Sequence, residues 1–162
     1  MDSLQYEEDI NIQKAVTAEA RKIYELVNKA FAEYRQGKHN PDLKEKIDDI
    51  KNDIKNNIVL VLKNIKFNNK IVGTLRLIPE KSRKKIYLKK FAISPDFQGQ
   101  GYGTMLFKKA EVIARNKGYK AIYLYSSTED KKLVRFYQKL GFKCTETSTN
   151  MGYERGLWVK KL

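Results

Sequence analysis

The sequence predicts an α/β fold: one domain over residues 1–162, with a central mixed sheet of six to seven strands flanked by about four helices. Three observations carry that reading. β-like runs and helical apolar stripes alternate along the chain in the order β-α-α-β-β-β-α-β-α-β-β. The unit from Ile86 to Tyr125, strand then glycine loop then helix then strand, requires a parallel pair joined by a right-handed crossover. Asn68-Asn69 between two β-like runs signals an antiparallel hairpin, so the sheet is mixed.

Asn11 to Val16 reads as the first strand, and Thr17 can cap the helix after it. Ala20, Ile23, Tyr24, Val27, Ala30 and Phe31 then recur at helical spacing, until Gly37 supplies a stop. Asn40-Pro41 opens a second helix, whose stripe of Leu43, Ile47, Ile50 and Ile54 is narrow enough for a surface position. Ile58 to Lys66 and Lys70 to Ile78 form the hairpin. Gly73 inside the second run points to a bulge or a close approach by another segment. Ile86 to Ile93 is a strand that stops at Pro95. The helix after the glycines carries Leu106, Ala110, Ile113 and Ala114 on one face and ends at Gly118. Lys120 to Tyr125 is the next strand. Ser127 to Asp130 fits a capping box for a helix that Gly141 closes. Its buried stripe is expected to be Leu133, Phe136 and Leu140, with Tyr137 at the margin. Phe142 to Thr147 and Tyr153 to Lys160 complete the sheet, with Cys144 and Trp158 expected in the core.

Composition limits the function classes. The longest plainly apolar run, Ile58 to Leu62, is far too short to span a bilayer, so no membrane partner is expected. The acidic first residues lack the apolar core of a signal peptide, and the single cysteine allows no intrachain disulfide. Both fit a cytoplasmic protein. The net charge is +14, but the lysines are scattered over the chain. That pattern suits a polyanionic cofactor or a solvated surface, and no specific nucleic acid is expected. No metal-ligand spacing occurs.

The stretch Ser94-Pro95-Asp96-Phe97-Gln98-Gly99-Gln100-Gly101-Tyr102-Gly103-Thr104 carries the clearest chemistry. A strand that stops at proline, a glycine loop and a helix N-terminus together make a phosphate site. Glycines admit close backbone approach, and the first helical amides lack intrahelical partners. A Walker A loop needs a Gly-Lys-Ser/Thr ending that is absent. A dinucleotide loop needs Gly-x-Gly-x-x-Gly, whereas Gly99, Gly101 and Gly103 stand at alternate positions. What remains is Gln98-x-x-Gly101-x-Gly103. It resembles the acyl-CoA pyrophosphate loop of the GNAT superfamily of N-acetyltransferases, Gln/Arg-x-x-Gly-x-Gly/Ala. Phe91-Ala92-Ile93-Ser94-Pro95 is similar to that family's strand end, and Phe136-Tyr137-Gln138-Lys139-Leu140-Gly141-Phe142 to its Phe/Leu-Tyr-x-x-x-Gly-Phe. The order of elements resembles the family's from end to end.

The resemblance implies acetyl-CoA as cofactor, held where two parallel strands splay apart. Phe91, Ala92 and Ile93 would face the pantetheine arm, with the Phe91 backbone amide aimed at the thioester oxygen. Gln98, Gly99, Gln100, Gly101, Tyr102, Gly103 and Thr104 would wrap the pyrophosphate. Phe136 and Tyr137 would line the cofactor channel, with the Tyr137 hydroxyl near the sulfur. Asp130 stands where the family often has asparagine, and it either touches cofactor or only caps its helix. The implied reaction is acetyl transfer to a primary amine, by direct attack in a ternary complex. A fixed amide stabilises the developing oxyanion and a tyrosine protonates the leaving thiolate.

The acceptor, a small-molecule or peptide amine, is less legible. Glu33 and Tyr34 end the first helix, where the family's acceptor pocket often lies. Strand alternation puts Tyr87, Lys89 and Phe91 on one face with no carboxylate among them, which favours a base acting through water. Lys89 beside the amine would disfavour polyamines and suit an acceptor with a carboxylate or phosphate. His39 is expected in a loop. The alternative is a non-catalytic CoA-binding or nucleic-acid-associated module of the same fold, monomeric or homodimeric like the enzyme.

Overall fold

The structure, a computed structural model, describes residues 9–32, 45–81 and 84–162. Its strands are β1 (Ile10–Lys14), β2 (Ile58–Asn64), β3 (Lys70–Glu80), β4 (Lys85–Ile93), β5 (Ala121–Ser127), β6 (Lys143–Ser148) and β7 (Arg155–Lys161). The helices among the described residues are α1 (Ala20–Ala30), α2 (Ile47–Asn56), α3 (Tyr102–Asn116) and α4 (Lys131–Lys139). One sheet runs β1-β2-β3-β4-β5-β7-β6. β4 and β5 are parallel and every other neighbouring pair is antiparallel. This is the mixed sheet that the hairpin and the crossover predict.

Alternation sorts the core into two layers. Ile58, Leu60 and Leu62 of β2 join Leu106, Phe107 and Ala110 of α3 and Tyr137 of α4 in one cluster. Val59 and Val61 point the other way, to Ile23, Leu26 and Val27 of α1 and Ile50 of α2. A strand buried on both faces needs a continuous apolar run, and Ile58 to Leu62 is one. The hairpin between β2 and β3 turns through a short 3-10 turn, Ile65–Phe67, and then the left-handed residues Asn68 (φ 54°) and Asn69 (φ 56°). Gly73 sits at a register shift, where an added Cβ would lie 2.8 Å from Ile93 and 3.3 Å from Leu62. Among the described residues no helix is long and apolar enough to cross a membrane.

Several local expectations change. β1 ends at Lys14, and Glu19 rather than Thr17 makes the cap, its carboxylate accepting from the Val16 amide at 3.0 Å. Cys144 is exposed, because β6 is an edge strand whose residues all face solvent. Trp158 is buried as expected, its indole donating to the Ser126 carbonyl at 3.3 Å. The expectations for Gly37, His39, Asn40-Pro41 and Leu43 lie outside the described residues.

Candidate active site

β4 and β5 pair only at Lys85–Ala121, Ile86–Ile122 and Tyr87–Tyr123. Beyond that last rung β4 continues to Ile93 on the edge of β3, and β5 to Ser127 on the edge of β7. Each strand keeps its outer partner and loses its inner one, so a wedge opens in the middle of the sheet. Backbone groups facing a wedge have no strand to satisfy them and are available to an extended ligand.

A bulge turns β4 as it enters the wedge. Arg76 pairs with Lys89 and Thr74 with Ala92, so three steps of β4 oppose two of β3. Lys90 takes the strain at φ 53°. The bulge reverses the alternation. Ile86 and Leu88 face the α3–α4 layer, and so do Phe91 and Ile93, while Ala92 faces α1. The expectation that Tyr87, Lys89 and Phe91 share a face is therefore wrong. Tyr87 and Lys89 look toward the α1–α2 side, and Phe91 turns to meet Phe136 of α4 at 5.8 Å between ring centroids. Strict period-two counting cannot see an inserted residue.

The glycine loop leaves the end of β4. The Ser94 amide donates to the Val72 carbonyl at 2.8 Å, and a short 3-10 turn, Pro95–Phe97, buries Phe97. The Gln98 side chain donates back to the Ile93 carbonyl at 3.1 Å and staples the loop to the strand. Gly99 (φ 76°) and Gly101 (φ 82°) need the left-handed region, and an added Cβ at either would meet nothing within 4 Å. The loop's glycines thus border open space rather than packed protein. Tyr102 points inward, stacked on Phe97 and accepting from Asn64 at 3.3 Å. The Met105 amide is bonded to the Gly101 carbonyl at 3.1 Å, so the amides of Gly103 and Thr104 lie in the unpaired first turn of α3. With the Gln98 and Tyr102 side chains occupied, the loop's glycines expose backbone to an anion. Gly103 has a second duty: its Cβ would stand 3.2 Å from the Phe136 ring, so a glycine lets α3 and α4 approach.

α4 closes the same side of the wedge. It begins at Lys131, later than the Ser127 capping box implies, and Asp130 is its N-cap. One Asp130 oxygen accepts from the Lys132 and Leu133 amides at 3.1 and 3.2 Å. The buried face of α4 is as expected only in part: Leu140, at its C-terminal cap, is buried. Between the caps Tyr137 is the one buried residue, while Leu133 and Phe136 are half-buried. The Tyr137 ring packs against Phe136, Phe142 and Trp158, and Trp158 pairs with Leu124, one residue past the last rung. Burial pushes the Tyr137 hydroxyl well above the usual tyrosine range, and among the described residues nothing hydrogen-bonds to it. It is a proton donor with no assigned partner beside the opening.

The opposite face holds Tyr87 and Lys89, named from the sequence as acceptor-side residues, and gathers around them others that the sequence reading missed. Tyr87 stacks on Tyr123 at 5.2 Å, and Tyr125 meets both edge-on at 6.0 and 6.2 Å. Arg155 lies 4.4 Å over the Tyr125 ring, and Lys85 lies 5.2 Å over Tyr123. The Tyr123 hydroxyl donates to Glu80, and burial together with that carboxylate raises its pKa. Lys89 pairs with Asp53 of α2 at 3.3 Å. The wholly buried Arg76 binds the same Asp53 at 3.2 Å and Glu45 at 3.1 Å. Only strand register could have gathered these residues, since Tyr87, Tyr123 and Arg155 are far apart in sequence. Glu33 and Tyr34 lie outside the described residues.

A profile of the acetyltransferase (GNAT) family matches residues 20–142, well over half of the chain. An uncharacterized N-acetyltransferase of Methanocaldococcus jannaschii is 39% identical over 51 residues, covering 32% of this chain and 23% of that protein. Probable N-acetyltransferase 14 of Xenopus tropicalis is 31% identical over 83 residues, covering 51% of this chain and 40% of its own length. The matched stretches thus span less than half of these relatives. Among solved structures, the PaiA N-acetyltransferase of Thermoplasma acidophilum in complex with coenzyme A superposes with a TM-score of 0.82 at 20% identity, over 94% of this chain and 99% of that one. A GNAT acetyltransferase from Elizabethkingia anophelis with acetyl-CoA bound gives 0.74 at 22% identity, over 96% and 99%. The likeness to both is one of fold. The chain belongs to the GNAT family of acetyltransferases, whose cofactor is acetyl-CoA.

Proposed function

We propose that this chain is a single N-acetyltransferase domain that moves the acetyl group of acetyl-CoA to a primary amine, by direct attack in a ternary complex in the cytoplasm. The observation that carries the reading is the wedge between β4 and β5, with a glycine cradle at one end and Tyr137 on one wall. The residues fit the cofactor. Gly99 and Gly101 hold a left-handed backbone against open space, as a diphosphate wrapped by amides requires. Acetyl-CoA supplies an acetyl thioester.

The chain's own groups then have separate tasks. The loop amides from Gln98 to Thr104 bind the diphosphate and fix the register of the arm. Phe91, Ala92 and Ile93 offer backbone along the wedge, and the Phe91 amide donates to the carbonyl oxygen as negative charge gathers there. Phe136 walls the channel and keeps water out. As nitrogen bonds to the acetyl carbon and the carbon–sulfur bond breaks, Tyr137 gives its proton to sulfur and regains one from solvent. The nitrogen's surplus proton leaves to water, because the carboxylates on that face are engaged, Asp53 by Lys89 and Arg76 and Glu80 by the Tyr123 hydroxyl. Burial keeps Tyr137 protonated at any working pH. Asp130 serves its helix rather than the cofactor.

The test is thiol release from acetyl-CoA across a panel of primary amines, with cofactor binding measured in parallel. Amine-dependent release with a stoichiometric acetylated product is the expected result. Tight acetyl-CoA binding with no release for any amine would favour the non-catalytic module instead.

A further inference from the structure

The proposed transfer leaves one side of the wedge for the acceptor. Phe91, Phe136 and Tyr137 occupy the α3–α4 side, so the amine must arrive from the face carrying Tyr87 and Lys89. Past the last rung, Tyr87–Tyr123, the next residues on that face are Lys89 on one lip and Tyr125 on the other.

The charges on these lips do not cancel. Arg76 and Lys89 are matched by Glu45 and Asp53. Lys85 lies over the Tyr123 ring, across the strand register from Glu80, whose carboxylate accepts from the Tyr123 hydroxyl. Arg155 is left over: its guanidinium carbon lies 4.4 Å over the Tyr125 ring, and among the described residues no carboxylate pairs with it. Tyr125 is 46% exposed, an unusual place for a tyrosine ring unless something covers it. A guanidinium held over an aromatic face by cation–π attraction carries a planar fork of N–H donors that matches a carboxylate.

We infer that the acceptor is an amine carrying a carboxylate and a flat apolar body, the carboxylate held by Arg155 and the body laid on Tyr125 and Tyr87. This rests on the proposed acetyl transfer. The unmatched charge of Arg155 also disfavours a further ammonium group beside it. A polyamine meets repulsion and finds no partner for its further charges.

Two measurements test this on the whole chain with CoA bound or turning over. The first compares kcat/KM for phenylalanine and phenylalaninamide, with spermidine as the polycation, in the wild type and in Arg155→Gln. A charge-assisted contact predicts a preference for the carboxylate of about 10- to 100-fold. That preference should collapse in the variant while acetyl-CoA affinity holds. The second is calorimetric binding of 3-phenylpropanoate, which has no amine, to the CoA complex. It should weaken by a similar factor in Arg155→Gln. Better turnover of the amide or of spermidine, or a carboxylate preference that Arg155→Gln leaves unmoved, overturns the inference while acetyl transfer stands. Arg155-dependent 3-phenylpropanoate binding with no turnover of any amine supports the site and removes the catalytic reading instead. Absence of both binding and preference overturns the site.

Discussion

Gly101→Val isolates the loop's contribution, because the structure holds its own control. Gly101 begins α3 at φ 82° and Gly118 follows the end of the same helix at φ 86°. An added Cβ at either meets nothing within 4 Å. The two positions share the same backbone demand at opposite ends of one helix. A side chain in the left-handed region costs about 1–2 kcal/mol, and a β-branched one sits at the upper end. For a domain of this size each kcal/mol lowers Tm by roughly 2–4 °C. Both variants should therefore fold and melt a few degrees early. They should differ in binding. At Gly118 the strain lies far from the loop, and acetyl-CoA affinity should be unchanged. At Gly101 either the loop leaves its cradle conformation or the valine methyls fill the open space beside it. Re-imposing the strain on binding alone weakens Kd by about 5- to 30-fold, at tenfold per 1.4 kcal/mol. Steric blockade would add to that. Calorimetry with acetyl-CoA on both variants is the assay. A folded Gly101→Val that binds as the wild type does would refute the loop as a diphosphate site.

Two further outcomes follow from the charges. Arg76→Leu removes a wholly buried cation and leaves Glu45 and Asp53 facing each other, so it should cost about 3–5 kcal/mol in chemical denaturation. A cost under about 1 kcal/mol would mean that water reaches the cluster. The raised pKa of Tyr137 makes stability fall at high pH. The unfolded chain loses that proton near pH 10 while the folded chain keeps it, so stability is intact below pH ~10 and declines above it. Tyr137→Phe should make that decline shallower by up to ~1.4 kcal/mol per pH unit, leaving the share due to Tyr123.

The parts of the fold that the sequence made legible are those with local causes. Asn68-Asn69, Gly118 and Gly141 all adopt the left-handed geometry that marks turns and helix ends, and the continuous run Ile58 to Leu62 is buried on both faces. The turn of the glycine loop was legible because Gly99 and Gly101 stand where a left-handed backbone is needed. What failed depends on neighbours. The bulge at Lys90 inserts one residue and moves Phe91 to the other face, a change that alternation within β4 cannot register. On α4 the helical stripe put Tyr137 at the margin. Contacts from Phe142 and Trp158, on distant segments, decide for the centre. The proposed acceptor face joins residues from β3, β4, β5, β7 and α2, and a local pattern connects only Tyr87 and Lys89 of β4.

The most direct measurement is steady-state turnover of Tyr137→Phe beside its acetyl-CoA affinity, under conditions where the chemical step limits. The substitution keeps the ring and its contacts with Phe136, Phe142 and Trp158, and it removes a hydroxyl that no described residue binds. If Tyr137 protonates the leaving thiolate, kcat should fall by roughly 10²–10⁴-fold, with near-normal affinity and no recovery as pH is raised. A variant that retains the wild-type kcat would contradict the account: Tyr137 would then be packing, and the thiolate would take its proton elsewhere.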